Sequence, residues 1–170
     1  MVEMHLAAVR VELPTNTPVV LLQEVEGAHR TLPIFIGTAE ASAIAHALQG
    51  VVAPRPLTHD LLLNVVALLG ATVERVVVTE LRMGEDGAGT YFAEVHLRQG
   101  DQARTISSRP SDAIALAARL GIAIYAEDDL LDEAGVVLDS DDDDVETPPD
   151  ELVTQFRQFI EGIRPEDFSQ

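Results

Sequence analysis

The chain has 170 residues, Lys+Arg 11 against Asp+Glu 29, a formal net charge of -18 and 46% hydrophobic residues. Such a length buries roughly 70% of its unfolded surface and supports one core without disulfides or metal staples. With no cysteine and no lysine there is no thiol nucleophile, zinc-thiolate site, iron-sulfur cluster or Schiff-base amine, and so acidic a chain is repelled by nucleic acid and anionic membranes unless its charge is unevenly placed.

The charge is uneven. Residues 1–126 hold 13 acids and 9 arginines, net -4, whereas residues 127–170 hold 16 acids and 2 arginines, net -14. Three segments follow: an α+β body over 1–135, an acidic linker over 136–149 and an amphipathic helix with its tail over 150–170. The linker contains Asp139, Asp141 to Asp144 and Glu146, a composition that solvates rather than packs. In the last segment Leu152, Phe156, Phe159, Ile160 and Ile163 recur at helical spacing, so this helix is expected to dock on something. The Met1-Val2-Glu3 start has neither a basic stretch nor a long apolar run, and no apolar run approaches the ~20 residues of a membrane span. A cytoplasmic protein without a membrane partner is the expectation.

Along the body, β-branched and aliphatic residues predict strands over 2–13, 18–26 and 31–36. Pro33, which has no amide donor, belongs at a sheet edge or bulge. Ala41, Ile44, Ala45 and Leu48 then predict a helix, capped by Thr38 and ended by Gly50. Leu61, Leu62, Val65, Leu68 and Leu69 predict a second, capped by Thr58 and ended by Gly70. Strands over 72–83 and 90–98 flank a glycine-rich loop, and Gly100-Asp101 suits a tight hairpin into a strand over 102–108. A third helix, from about Ser111 to Leu120, is apolar nearly all round and therefore buried, in the core or under a partner subunit. A short strand near 122–126 and a small helix complete the pattern. The fold class is α+β: a mixed, largely antiparallel sheet packed with three main helices.

The residues able to carry chemistry gather at two similar helix starts, Arg55-Pro56-Leu57-Thr58-His59-Asp60 and Arg109-Pro110-Ser111-Asp112. A helix N-terminus offers free amides and a positive dipole end, which a nearby guanidinium completes as an anion site. Arg55, Arg109, Thr58 and Ser111 are the substrate-binding candidates. His59 is the candidate general base, beside a carboxylate and a hydroxyl. Glu40, Asp60 and Asp112 are oxygen donors of the kind that hold Mg²⁺ or Mn²⁺, and His59, Asp60 and Asp112 make up the catalytic set. The same residues also read as ordinary caps, with Arg109 and Asp112 an ion pair over a buried helix end. His46 and His96 read as solvated. Walker, GxGxxG, HExxH and GxSxG motifs are all absent.

At these segments the chain resembles the bifunctional nuclease (BFN) domain family. The resemblance rests on Leu32-Pro33-Ile34-Phe35-Ile36-Gly37 with Glu40-Ala41, on Arg55-Pro56-Leu57-Thr58-His59-Asp60-Leu61-Leu62, and on Arg109-Pro110-Ser111-Asp112-Ala113-Ile114-Ala115-Leu116-Ala117. It covers roughly residues 2–135, and the closing Phe156-Arg157-Gln158-Phe159-Ile160 is similar to the tails of actinobacterial members. It departs from the family pattern at Thr90-Tyr91-Phe92-Ala93, where the aromatics are exchanged, and at Ser107-Ser108, which replaces a more common acidic-small pair. The resemblance implies an α+β domain, a homo-oligomer (a dimer) and DNase and RNase activity.

Two functions stay open. One is a nuclease using a divalent metal; the other is a non-catalytic oligomeric module recognising an anionic ligand or a protein partner. The charge distribution makes any nucleic-acid contact local and short-range, with the acidic tail as its antagonist, mimicking nucleic acid over an arginine-lined cleft.

Overall fold

The computed structural model describes residues 1–12, 15–85 and 87–137. The C-terminal helix expected over 150–170, and the linker beyond Val137, lie outside the described residues. Eight strands are formed: β1 (Val2–Glu12), β2 (Thr17–Glu24), β3 (Arg30–Phe35), β4 (Ala71–Met83), β5 (Gly89–Gln99), β6 (Gln102–Ser108), β7 (Ile124–Ala126) and β8 (Val136–Val137). The helices are α1 (Thr38–Leu48), α2 (Thr58–Leu68), α3 (Pro110–Leu120) and α4 (Asp128–Ala134). The strands make one mixed sheet in the order β6-β5-β4-β7-β1-β2-β3-β8. Every neighbouring pair is antiparallel except β4 with β7, as an α+β chain built largely from hairpins requires.

Local chemistry places these elements. Gln99 pairs with Gln102 across Gly100-Asp101, the tight hairpin expected from sequence. β8 covers only Arg30 and Thr31 of β3, so β3 is already the sheet's edge at Pro33, where no donor is needed. Val136 and Val137 thus belong to the sheet, two residues into the segment expected as linker. α3 ends on Gly121 at φ 65, a left-handed C-cap that costs glycine nothing.

One hydrophobic core lies between helices and sheet. Val20, Leu22, Leu32 and Ile34 from one half of the sheet and Val76, Val78, Ala93 and Val95 from the other meet Ile44 of α1 and Ile114 of α3 in it. The small residues of α3 let it pack closely against α1 and over β4 and β5, while α2 rests on α3 and β4 and α4 contacts β3 and β4. At the far edge the carboxylate of Glu24, 2% exposed, accepts from the Arg30 backbone and guanidinium. Arg30 also reaches Asp128 and Asp132, tying α4 to the β2–β3 hairpin. The hydrogen bond from Arg30 outweighs burial and holds Glu24 below the usual carboxylate range. Among the described residues no helix is long and apolar enough to cross a membrane.

Candidate functional site

Three helices begin alike. Their N-caps are Gly37, Leu57 and Arg109, so the third helical residue of each is an acid: Glu40, Asp60 and Asp112. The expected caps Thr38 and Thr58 instead stand one residue inside their helices, and no side chain of any of the three cap residues makes a cap bond. The acids take over part of that task. Asp60 accepts from the Leu57 amide at 3.0 Å, satisfying a donor that the helix leaves free. Glu40 folds back over Gly37, where a Cβ would stand 2.3 Å from Oε2. A side chain at residue 37 would have to push aside the end of the flexible Glu40 side chain, a close approach that the Gly37-Thr38-Ala39-Glu40 stretch hints at.

Two of these acids converge. Arg109 donates from Nε and Nη2 to the two carboxylate oxygens of Asp112, at 2.7 and 3.0 Å, and its Nη1 lies 2.9 Å from Glu40 Oε1. His59 Nε2 is 3.3 Å from Asp112 Oδ1. The starts of α1, α2 and α3 are thereby joined in one polar chain, Glu40 to Arg109 to Asp112 to His59. Burial raises the Asp112 carboxyl, but the hydrogen bonds from Arg109 and His59 outweigh it and hold the group below the usual aspartate range. The same pairing raises the Arg109 guanidinium above its ordinary value. An ionised Asp112 accepting from Nε2–H fixes the imidazole tautomer and leaves Nδ1 as the basic atom.

His59, Arg109 and Asp112 lie at the rim of a cleft of about 570 Å³ between the inner side of α2 and the strands β4 to β6. Thr58 lines it too, as do Ser107 and Ser108, the pair at which the chain departs from the BFN pattern. Below them the walls are aliphatic, among them Leu62, Val66, Val73, Val95 and Ile106. These side chains come from α2 and from three different strands, and no local motif announces them.

The remaining candidates are placed elsewhere. Asp60 faces Arg119 of α3, with Nε 3.0 Å from Oδ1 at an angle that leaves Nε without a hydrogen bond. Arg55 is exposed in the α1–α2 loop and has no ion pair among the described residues. Ser111 is buried and does not line the cleft. Glu40, Asp60 and Asp112 do not come together as one ligand set, and no group of three or more His, Asp or Glu side chains fit to hold a metal forms among the described residues. The guanidinium of Arg109 stands between Glu40 and Asp112 where a shared cation would have to sit, so the donors present do not fit Mg²⁺ or Mn²⁺ as arranged. His46 is exposed, as expected. His96 departs from the solvated reading: it is partly covered, 3.2 Å from Glu94 and 3.3 Å from Arg75 Nη2.

The class of domain is an α+β fold with a mixed sheet, whose three main helix starts are joined by one polar chain and of which the starts of α2 and α3 line a cleft. The chain belongs to the bifunctional nuclease domain family, whose model matches residues 20–139. Two Mycobacterium tuberculosis relatives, "Uncharacterized protein MT1877" of strain CDC 1551 / Oshkosh and "Uncharacterized protein Rv1829" of strain H37Rv, are each 39% identical over 168 residues, covering 98% of this chain and 97% of their own.

Proposed function

We propose that the chain hydrolyses phosphodiester bonds of DNA or RNA, with His59 as general base and Asp112 as the group that orients it. The observation that carries this reading is the 3.3 Å contact between His59 Nε2 and Asp112 at the rim of the cleft, in a chain of the bifunctional nuclease domain family. In the proposed step Nδ1 takes a proton from water, the water oxygen bonds to phosphorus, and the bond to the leaving ester oxygen breaks, that oxygen taking up a proton from solvent. Thr58, which lines the cleft beside His59, supplies a phosphate contact, whereas Arg55 lies outside the cleft lining. Arg109 holds the base's partner in place. No step is routed through a divalent cation, because Glu40 and Asp112 are committed to Arg109.

A second reading has its own support. With every guanidinium nitrogen of Arg109 engaged by carboxylates, the cluster of Glu40, Arg109 and Asp112 carries net -1 and attracts phosphate poorly, which favours a non-catalytic module binding an uncharged or apolar partner in the cleft. One experiment separates the two. Purified full-length protein is assayed on labelled single-stranded DNA and RNA, with chelator and with added Mg²⁺ or Mn²⁺, beside a folded His59→Ala variant. The nuclease reading expects cleavage that co-elutes with the protein and falls about a hundredfold in the variant, the usual scale for loss of a general base. Cleavage unchanged by the substitution, or eluting apart from the protein, removes His59 from the mechanism.

A further inference from the structure

α2 presents a run of apolar side chains without a partner among the described residues. None of its residues is buried; Leu61, Leu62, Val65 and Leu68 stand at 56, 45, 43 and 86% exposure, and Leu69 just beyond it at 64%. Isolated exposed leucines need no explanation, but a whole helix of them beside an open aliphatic cleft does. We propose that the chain's own C-terminal segment, residues 150–163, docks as a helix on this α2 surface and into the cleft beside it.

Its pattern fits the place. Leu152, Phe156, Phe159, Ile160 and Ile163 fall on one helical stripe, and three of the chain's five phenylalanines, Phe156, Phe159 and Phe168, lie beyond residue 149. The cleft walls are aliphatic and carry no Phe, Tyr or Trp of their own, so they offer surface for aromatic rings from elsewhere. Reach is sufficient. α2 packs on β4, five strand positions from β8, where the described chain ends, or about 24 Å across the sheet at about 4.8 Å per strand. The twelve residues 138–149 can span up to ~40 Å when extended.

Charge agrees as well. Residues 138–170 hold 11 acids and 2 arginines. Arg104 of β6 shares the strand face of the cleft residue Ile106, and its guanidinium bonds only to the neutral Gln102 among the described residues; Arg55, in the loop before α2, also lacks an ion pair there. An acidic segment crossing toward α2 meets both. The mycobacterial relatives align over 98% of this chain, past the end of the family domain at residue 139, so the segment is part of what they share in length. Docking concerns the surface alone and does not depend on the hydrolytic reading.

The lack of cysteine makes a direct test simple. In full-length protein carrying Leu62→Cys and Phe159→Cys, a short bismaleimide is expected to give a cross-linked monomer, seen as one chain mass with both thiols consumed. Cross-linked dimers, showing that a second copy occupies α2, or thiols that react independently without cross-linking, overturn the proposal. Hydrogen exchange guards against a perturbed cleft in that variant. In full-length protein with Phe156→Ser and Phe159→Ser, amides of residues 61–69 are expected to exchange several-fold faster than in the wild type, with β4 unchanged. Equal rates along α2 overturn the docking.

Discussion

α2 and α3 begin with nearly the same letters and end in opposite circumstances. Each has an Arg-Pro pair at or just before its start, an acid at its third position and a glycine at positive φ past its last turn. Yet seven of the eleven residues of α3 are buried, from Pro110 to Ala117, and none of α2 is. The offset of one arginine separates their chemistry. Arg109 is itself the N-cap and can fork onto Asp112 three residues on, whereas Arg55 stands two residues before the N-cap Leu57 and leaves Asp60 to Arg119 of another helix. Similar helix starts thus acquire different partners as their neighbours close around them, and α2 contributes His59 to the polar cluster centred on the start of α3.

The difference can be broken most forcefully in the core. Ile114→Ala, at a fully buried position of α3, is expected to cost about 3 kcal/mol through lost burial and the cavity it leaves. Leu68→Ala on α2, 86% exposed among the described residues and covered only where the C-terminal segment docks, should cost about 1 kcal/mol or less. Urea unfolding of both variants checks the pair, and equal losses would mean that α2 is covered as fully as α3.

A smaller effect is expected at the polar chain. Asp112→Asn removes the negative charge and one of the two oxygens that accept from the Arg109 guanidinium, and should cost about 2 kcal/mol at neutral pH. Because the folded-state carboxyl of Asp112 is depressed, its contribution is fully present above the unfolded aspartate value of about 3.9 and is lost as pH falls through the lower folded value. The gap between wild type and Asp112→Asn should accordingly close on the acid side, as unfolding measured from pH 7 down to pH 3 would reveal. At α2, Asp60→Asn weakens the bond to the Leu57 amide and is expected to cost about 1 kcal/mol or less.

Much of this was legible in the sequence because it is local. Alternation gave the strands, i, i+3, i+4 spacing gave the helices, Gly100-Asp101 gave a hairpin and the apolar run after Asp112 gave a buried helix. The start of each helix was misjudged by one residue, since Thr38 and Thr58 look like better caps than Gly37 or Leu57 until Glu40 and Asp60 are seen folding back. Val136 and Val137 were hidden by the acids that follow them. At the site, the contact between His59 and Asp112 spans 53 residues, and Glu40 meets Arg109 across 69; no spacing rule reaches that far. The same non-local packing separated Asp60 from Glu40 and Asp112, whose similar positions in their own helices had suggested a shared cation.

Asp112 and Asp60 hold the same position in their helices and meet different partners, His59 and Arg109 for the one, Arg119 and the Leu57 amide for the other. Single-turnover cleavage of labelled single-stranded RNA and DNA by folded, full-length Asp112→Asn and Asp60→Asn tests this most directly. The expected result is a loss of about a hundredfold for Asp112→Asn, which leaves His59 without its ionised partner, and a rate within about twofold of wild type for Asp60→Asn. Equal losses in both, or a greater loss in Asp60→Asn, would contradict the assignment of the site to the chain of Glu40, Arg109, Asp112 and His59.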